Sequence, residues 1–109
     1  MILNNTICGN TGGNGGGVWL FGNAKIINTI LWNNSAVTGP QLCVLGSPSY
    51  VQIDFSYVEG GKPAVHVSPS STLIWGGAMI EEDPAFFDPG NGDFRLIQYS
   101  PCINRGTND

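Results

Sequence analysis

The chain has 109 residues, a net charge of −4 and 11% charged residues, against roughly 25% in an average globular protein. Sixteen glycines, seven prolines and eleven asparagines stand beside 41% apolar residues, the composition of a turn-dense β protein and not of a disordered polar tract. Lys25, Lys62, Arg95 and Arg105 are scattered, which excludes a phosphate-neutralising patch and so a nucleic-acid partner; no apolar run approaches the ~20 residues of a membrane span.

The chain opens on MILNNTICGN, with neither a basic n-region nor a continuous apolar stretch, so no signal peptide is read there and the compartment stays undetermined. Cys8, Cys43 and Cys102 are odd in number and form no C-x-x-C pair, which argues against a disulfide framework. A zinc site would need all three to converge on His66, the one histidine. They read as small hydrophobes.

The next elements are repeats. LNNTICGN at 3–10 and INTILWNN at 27–34 match at an offset of 24, and DFSYVEGG at 54–61 follows after 27. Ile7, Leu31 and Val58 coincide, as do Asn5, Thr29 and Ser56; Asn10 coincides with Asn34. GGVWLFG at 16–22, PQLCVLG at 40–46 and PAVHVSP at 63–69 form a second series. Val18, Leu42 and Val65 align there, and so do Leu20, Val44 and Val67. Spacing of two puts these aliphatics on one strand face, with Trp19, Cys43 and His66 on the other. A third series is NAKII at 23–27, SYVQI at 49–53 and STLIW at 71–75. No helical periodicity is seen.

Repeats of 23–27 residues with about three short strands each predict an all-β solenoid of about three coils, stacked as parallel sheets, over 1–76. The coils are 2–25, 26–52 and 53–76. Recurrent asparagines would form amide ladders, and Gly9, Gly22, Gly46 and Gly60 would supply turns with positive φ. The segment 77–109 departs from the pattern. DPAFFDPGNGDFRL at 83–96 places an Asn91-Gly92 turn between apolar segments, which predicts a short hairpin. With SPCINRG at 100–106 it reads as a cap on the last coil.

NTILWNN, FSYVEGG, DPAFFDPGNGDFRL and SPCINRG together resemble the C-terminal stretch of bacterial right-handed parallel β-helix repeat proteins. These are pectate-lyase-like solenoids of the choice-of-anchor type. The resemblance implies a right-handed parallel β-helix with three parallel sheets, and a setting that in such proteins is often extracellular or at the cell surface. Relatives have more coils before this region and continue beyond the SPCI segment, so the chain reads as a fragment or remnant of such a domain. The family spans lyases, hydrolases and adhesins, so the fold assigns no chemistry.

Candidate sites follow. Asp88, Asn91 and Asp93 could offer oxygens to Ca²⁺, but their spacing is not that of an EF-hand, and such side chains ordinarily bind turn amides. Asp54 aligns with Leu3 and Ile27, and the longer third repeat is expected to swing it outward. Trp19, Cys43 and His66 should form an outward ladder; a Cys/His pair suggests a nucleophile, but no third group orients it. Trp19, Trp32 and Tyr57 are expected outside, as surfaces for protein contact or sugar stacking. Trp19, Trp32, Tyr57 and His66 are therefore the candidate binding residues, with no catalytic or metal site assigned. The resulting expectation is a non-enzymatic module with a structural or binding role, homo-oligomeric through its first coil or its aromatic face. A carbohydrate-active lyase or hydrolase fragment, or a carbohydrate-binding surface, is the alternative.

Overall fold

The strands of the repeats pair with strands about one repeat away, which gives an all-β fold dominated by parallel sheets. The computed structural model describes residues 1–45 and 49–98 with positions 100, 102 and 106. Gly46, and Pro101, Ile103, Asn104 and Arg105 of the terminal segment, lie outside the described residues.

The first repeat contributes β1 (Ile2–Leu3), β2 (Thr6–Cys8), β3 (Thr11–Asn14) and β4 (Val18–Phe21). The second contributes β5 (Ala24–Ile27), β6 (Ile30–Trp32), β7 (Ser35–Thr38) and β8 (Leu42–Leu45). The third contributes β9 (Tyr50–Asp54), β10 (Tyr57–Val58), β11 (Val65–Val67) and β12 (Thr72–Trp75). Three parallel sheets run through them, in the orders β1-β5-β9-β12, β2-β6-β10 and β4-β8-β11, and β3 pairs with β7 alone. Ile7, Leu31 and Val58 are register partners, as are Val18, Leu42 and Val65.

Two expectations are corrected. NAKII and SYVQI pair one residue away from the predicted match, with Ala24 opposite Val51 and Ile26 opposite Ile53. Strand parity explains this: a slip of one residue would set Ile26 beside the outward Gln52. The β3–β7 pair was not predicted. Its first strand is TGGN, which carries no apolar alternation, and the pairing is made by backbone alone.

Inward side chains in the middle of the stack are sealed by layers on both sides. Ile26, Leu31, Leu42 and Val44 of the second repeat, and Val51 and Ile53 of β9, which lies between β5 and β12, have no exposed surface. Ile2, Ile7, Val18 and Leu20 at one end, and Val65, Val67, Leu73 and Trp75 at the other, are only half-buried against them. Full burial of one such aliphatic is worth ~1.5–3 kcal/mol, so the middle layer holds most of the apolar stabilisation.

Left-handed backbone recurs at matching turns: Asn4, Asn28 and Phe55 (φ 59°, 54° and 49°), then Gly9, Asn33 and Gly60 (φ 69°, 55° and 84°). Glycine and asparagine tolerate this conformation and phenylalanine resists it. The predicted amide ladders form between the first two repeats. Asn28 Nδ2 donates to Asn4 Oδ1 at 3.0 Å, and Asn10 Nδ2 donates to Asn34 Oδ1 at 3.2 Å. In the third repeat other side chains take over. Ser56 Oγ accepts from the Thr29 amide at 3.1 Å, and Glu59 Oε1 accepts from the Asn33 amide at 2.9 Å.

After β12 the chain turns at Asp54, whose Oδ1 accepts from the amides of Phe55 at 2.8 Å and Ala78 at 3.0 Å. Asp54 is thus a turn organiser and stays half-buried. Met79 then enters the core, and Ile80 pairs in parallel with Tyr57. β13 (Phe86–Asp88) and β14 (Asp93–Leu96) form the expected antiparallel hairpin, with Gly92 left-handed at its turn.

A Cβ at Gly76 would fall inside the Asp54 carboxylate. Gly76→Ala is therefore expected to destabilise the protein by about 1–3 kcal/mol, as overpacking does. Adding Asp54→Gly should recover part of that loss in a thermal melt. Additive losses in the double variant would contradict the steric account.

Candidate functional site

Two surfaces merit attention, the outer face of the β4-β8-β11 sheet and the end of the third repeat. On the first, Trp19 and Phe21 project from the same face of β4, as i and i+2 residues must. They are 57% and 72% exposed, and their rings meet edge to face at 5.8 Å and 74°. Phe21 was not singled out from sequence, although its spacing from Trp19 was visible there.

Trp19, Cys43 and His66 are register partners as predicted, but they do not form an exposed ladder. Cys43 is wholly buried and His66 half-buried. The bends preceding β4 and β8 pack on them: a Cβ at Gly15 would lie 3.1 Å from Cys43 Cβ, and one at Gly39 would lie 3.1 Å from the Cβ atoms of both Cys43 and His66. Burial pushes the Cys43 thiol above its ordinary pKa, the reverse of what a nucleophilic thiolate needs. Among the described residues no hydrogen bond joins Cys43 to His66.

Trp32 and Tyr57 are corrected from free aromatic surfaces: Trp32 is half-buried under the hairpin and Tyr57 is buried. Phe86 of the hairpin meets the Trp32 ring at 5.2 Å and 72°, and Phe94 backs Phe86 at 5.4 Å and 84°. Trp32 Nε1 is buried there with no acceptor among the described residues. Tyr57 is 7% exposed, and burial, helped by the Glu59 and Asp83 charges, raises its hydroxyl pKa. The hairpin thus covers the flank of the second repeat rather than the end of the third. Among the described residues that follow β12, Met79 and Ile80 extend over that end, beside β10. The motif FSYVEGG gave no sign of which face a following segment would cover.

The carboxylates proposed for Ca²⁺ serve the hairpin. Asp88 Oδ2 accepts from Asn91 Nδ2 at 2.8 Å. Asp93 is held by Arg95 at 2.7 Å, which keeps its carboxyl below the ordinary carboxylate pKa, while the Arg95 guanidinium lies 5.1 Å from the Phe87 ring. Among the described residues no three His, Cys, Asp or Glu side chains converge to hold a metal.

The second surface is a cleft of about 540 Å³ at the end of the third repeat. Val58, Trp75 and Ile80 give its apolar wall, Gly60 and Gly61 its backbone wall, and Lys62 and Glu81 its charges. Lys62 Nζ sits 6.0 Å from the Trp75 ring centroid. Trp75 was read only as part of the STLIW series; its inward position on the last repeat was the signal for an exposed interior.

No family model matches the chain, and no curated protein or solved structure matches it. Among the described residues no helix is long and apolar enough to cross a membrane, which says nothing of a β-barrel.

Burial makes two outcomes definite. Cys43 should remain unmodified by a thiol reagent such as DTNB until the protein is unfolded; rapid labelling of the native Cys43 thiol would contradict its placement. Phe86→Ala should destabilise by about 3–5 kcal/mol, whereas Trp32→Phe, which removes an unpaired buried N–H, should stay within about 1 kcal/mol of the parent in urea denaturation.

Proposed function

We propose that the chain is a right-handed parallel β-helix of about three coils, a non-enzymatic module with a structural or binding role that self-associates through its first coil. The solenoid reading is supported by three parallel sheets whose strands pair one repeat apart, at matched registers, with matched left-handed turns. The non-enzymatic reading is supported by how the carboxylates are used. Asp54, Glu59, Asp83 and Asp93 accept from backbone amides or bind Arg95, and Glu81 is the one carboxylate in the described lining of the cleft at the end of the third repeat, whereas a glycoside hydrolase requires a pair flanking the bond.

The observation that carries self-association is the edge of the first coil. β1, β2, β3 and β4 each end their sheet there among the described residues, and β4 adds the exposed Trp19–Phe21 pair. An unpaired edge beside exposed aromatics is a template for strand addition. A two-fold dimer would satisfy both copies with one patch.

Carbohydrate binding by Trp19 is the second reading, favoured by its exposure on a flat sheet face. The edge-to-face geometry weakens it: Phe21 stands across Trp19 instead of extending a planar platform.

Light scattering across a dilution series tests the first reading. A stable dimer is expected, and Trp19→Ser with Phe21→Ser should raise its dissociation constant at least tenfold while leaving far-UV circular dichroism unchanged. A monomer at every concentration would overturn it. Quenching of tryptophan emission by polygalacturonate or chitin oligomers, lost in Trp19→Ser, would move the assignment to the sugar surface.

A further inference from the structure

We propose that the cleft at the end of the third repeat binds an extended peptide that adds a strand to the β12 edge, sets an apolar side chain between Trp75 and Ile80, and carries basic residues beside it.

The backbone half of the argument comes from β12. It is the last strand of its sheet among the described residues. The amides of Thr72 and Gly76 both donate back to β9, to Ser49 O and Ile53 O, each at 2.8 Å. Alternation along a strand then turns the main-chain groups of Leu73 and Trp75 to the opposite side, toward the open edge. Such an edge accepts a peptide by β-augmentation, in which main-chain bonds give affinity and a side-chain recess gives specificity.

The chain supplies a precedent on the neighbouring sheet. Ile80 already lies in parallel against Tyr57 at the edge of β10, its amide donating to Ser56 O at 2.8 Å. Met79 beside it is buried in the core. A strand on β12 would continue this added layer, and the cleft between is where its inward side chain would lie. A volume of about 540 Å³ falls within the roughly 300–1,000 Å³ of ligand-binding clefts.

Charge selects the occupant. Glu81 lines the mouth, and the exposed Glu82 and Asp83 follow it directly. The Asp83 charge reaches far enough to act on Tyr57. Among the described residues Lys62 is the one cation of the lining, and it leans over the Trp75 ring. Three carboxylates against one lysine attract a basic peptide. They repel a second copy of this chain presenting the same end. The inference is independent of first-coil pairing, which uses the opposite edge.

The test is calorimetric titration of the full chain with an acetylated heptapeptide alternating lysine and leucine. Saturable binding is expected. Glu81→Lys with Glu82→Lys, both on exposed side chains, should weaken it at least tenfold without changing the dimer dissociation constant. A peptide N-methylated at alternate residues, unable to form the strand ladder, should not bind. Nor should one with glycine in place of leucine. Any of four results would overturn the proposal: no saturation at millimolar peptide, equal binding of the N-methylated or the glycine peptide, unchanged affinity in the charge-reversed variant, or hydrogen-exchange protection of the Leu73 and Trp75 amides that is lost on dilution of the protein alone. The last would give this edge to a second copy.

Discussion

Stacking of aliphatic side chains on their counterparts one repeat away is the constraint on which the rest of this molecule depends. Ile26 on Ile53, Leu31 on Val58 and Val18 on Leu42 hold only while each turn returns the chain at the same height. The left-handed residues at Asn4, Asn28 and Phe55 make that return. Where the turn residue is asparagine, its amide also bonds to its neighbour. Where it is Phe55, that bond is not available to the side chain, and a phenylalanine is held in a conformation that commonly costs about 1–3 kcal/mol. The third repeat compensates with Ser56 and Glu59, which bond back to the second.

The polar side chains follow the same logic. Asn34 is buried, and its amide donates to Ile7 O at 3.0 Å and to Gln41 Oε1 at 2.7 Å. Gln41 in turn approaches Glu59 at 3.4 Å. This chain of contacts runs from Asn10 in the first repeat to Glu59 in the third. Buried amides of this kind are tolerable only when nearly every group is satisfied. Gly17 leaves the space: a Cβ there would lie 2.9 Å from Asn34 Nδ2. The asparagines and glycines at these turns, with Gln41, thus serve packing and hydrogen bonding within the stack.

Much of the stacking was legible in the sequence because it is written in repeated apolar types at fixed offsets. Val18, Leu42 and Val65 could be aligned by eye. The β3–β7 pair could not, because TGGN pairs through backbone and leaves no side-chain signature. The candidate residues fared unevenly for a physical reason. Alternation along a strand tells which face a side chain takes, and Trp19, Cys43 and His66 do share one. It does not tell what later covers that face. Cys43 is closed off by glycine bends, and Trp32 by a hairpin more than fifty residues further along the chain. Trp75 was the converse case: it points inward, yet its layer is the last one described, and so it borders a cleft.

The pairing of Ile80 with Tyr57 makes the two ends of the molecule unlike. A stack of parallel strands with matching ends could seed its own growth, each copy serving as the floor for the next, as amyloid fibrils do. Here the edge of β10 is already occupied from within the same chain. Met79 beside it is packed into the core. Ile80 therefore takes the place that a strand of a second copy would need on β10, while β11 and β12 still end their sheets among the described residues, so growth from this end would have to begin without the β10 sheet.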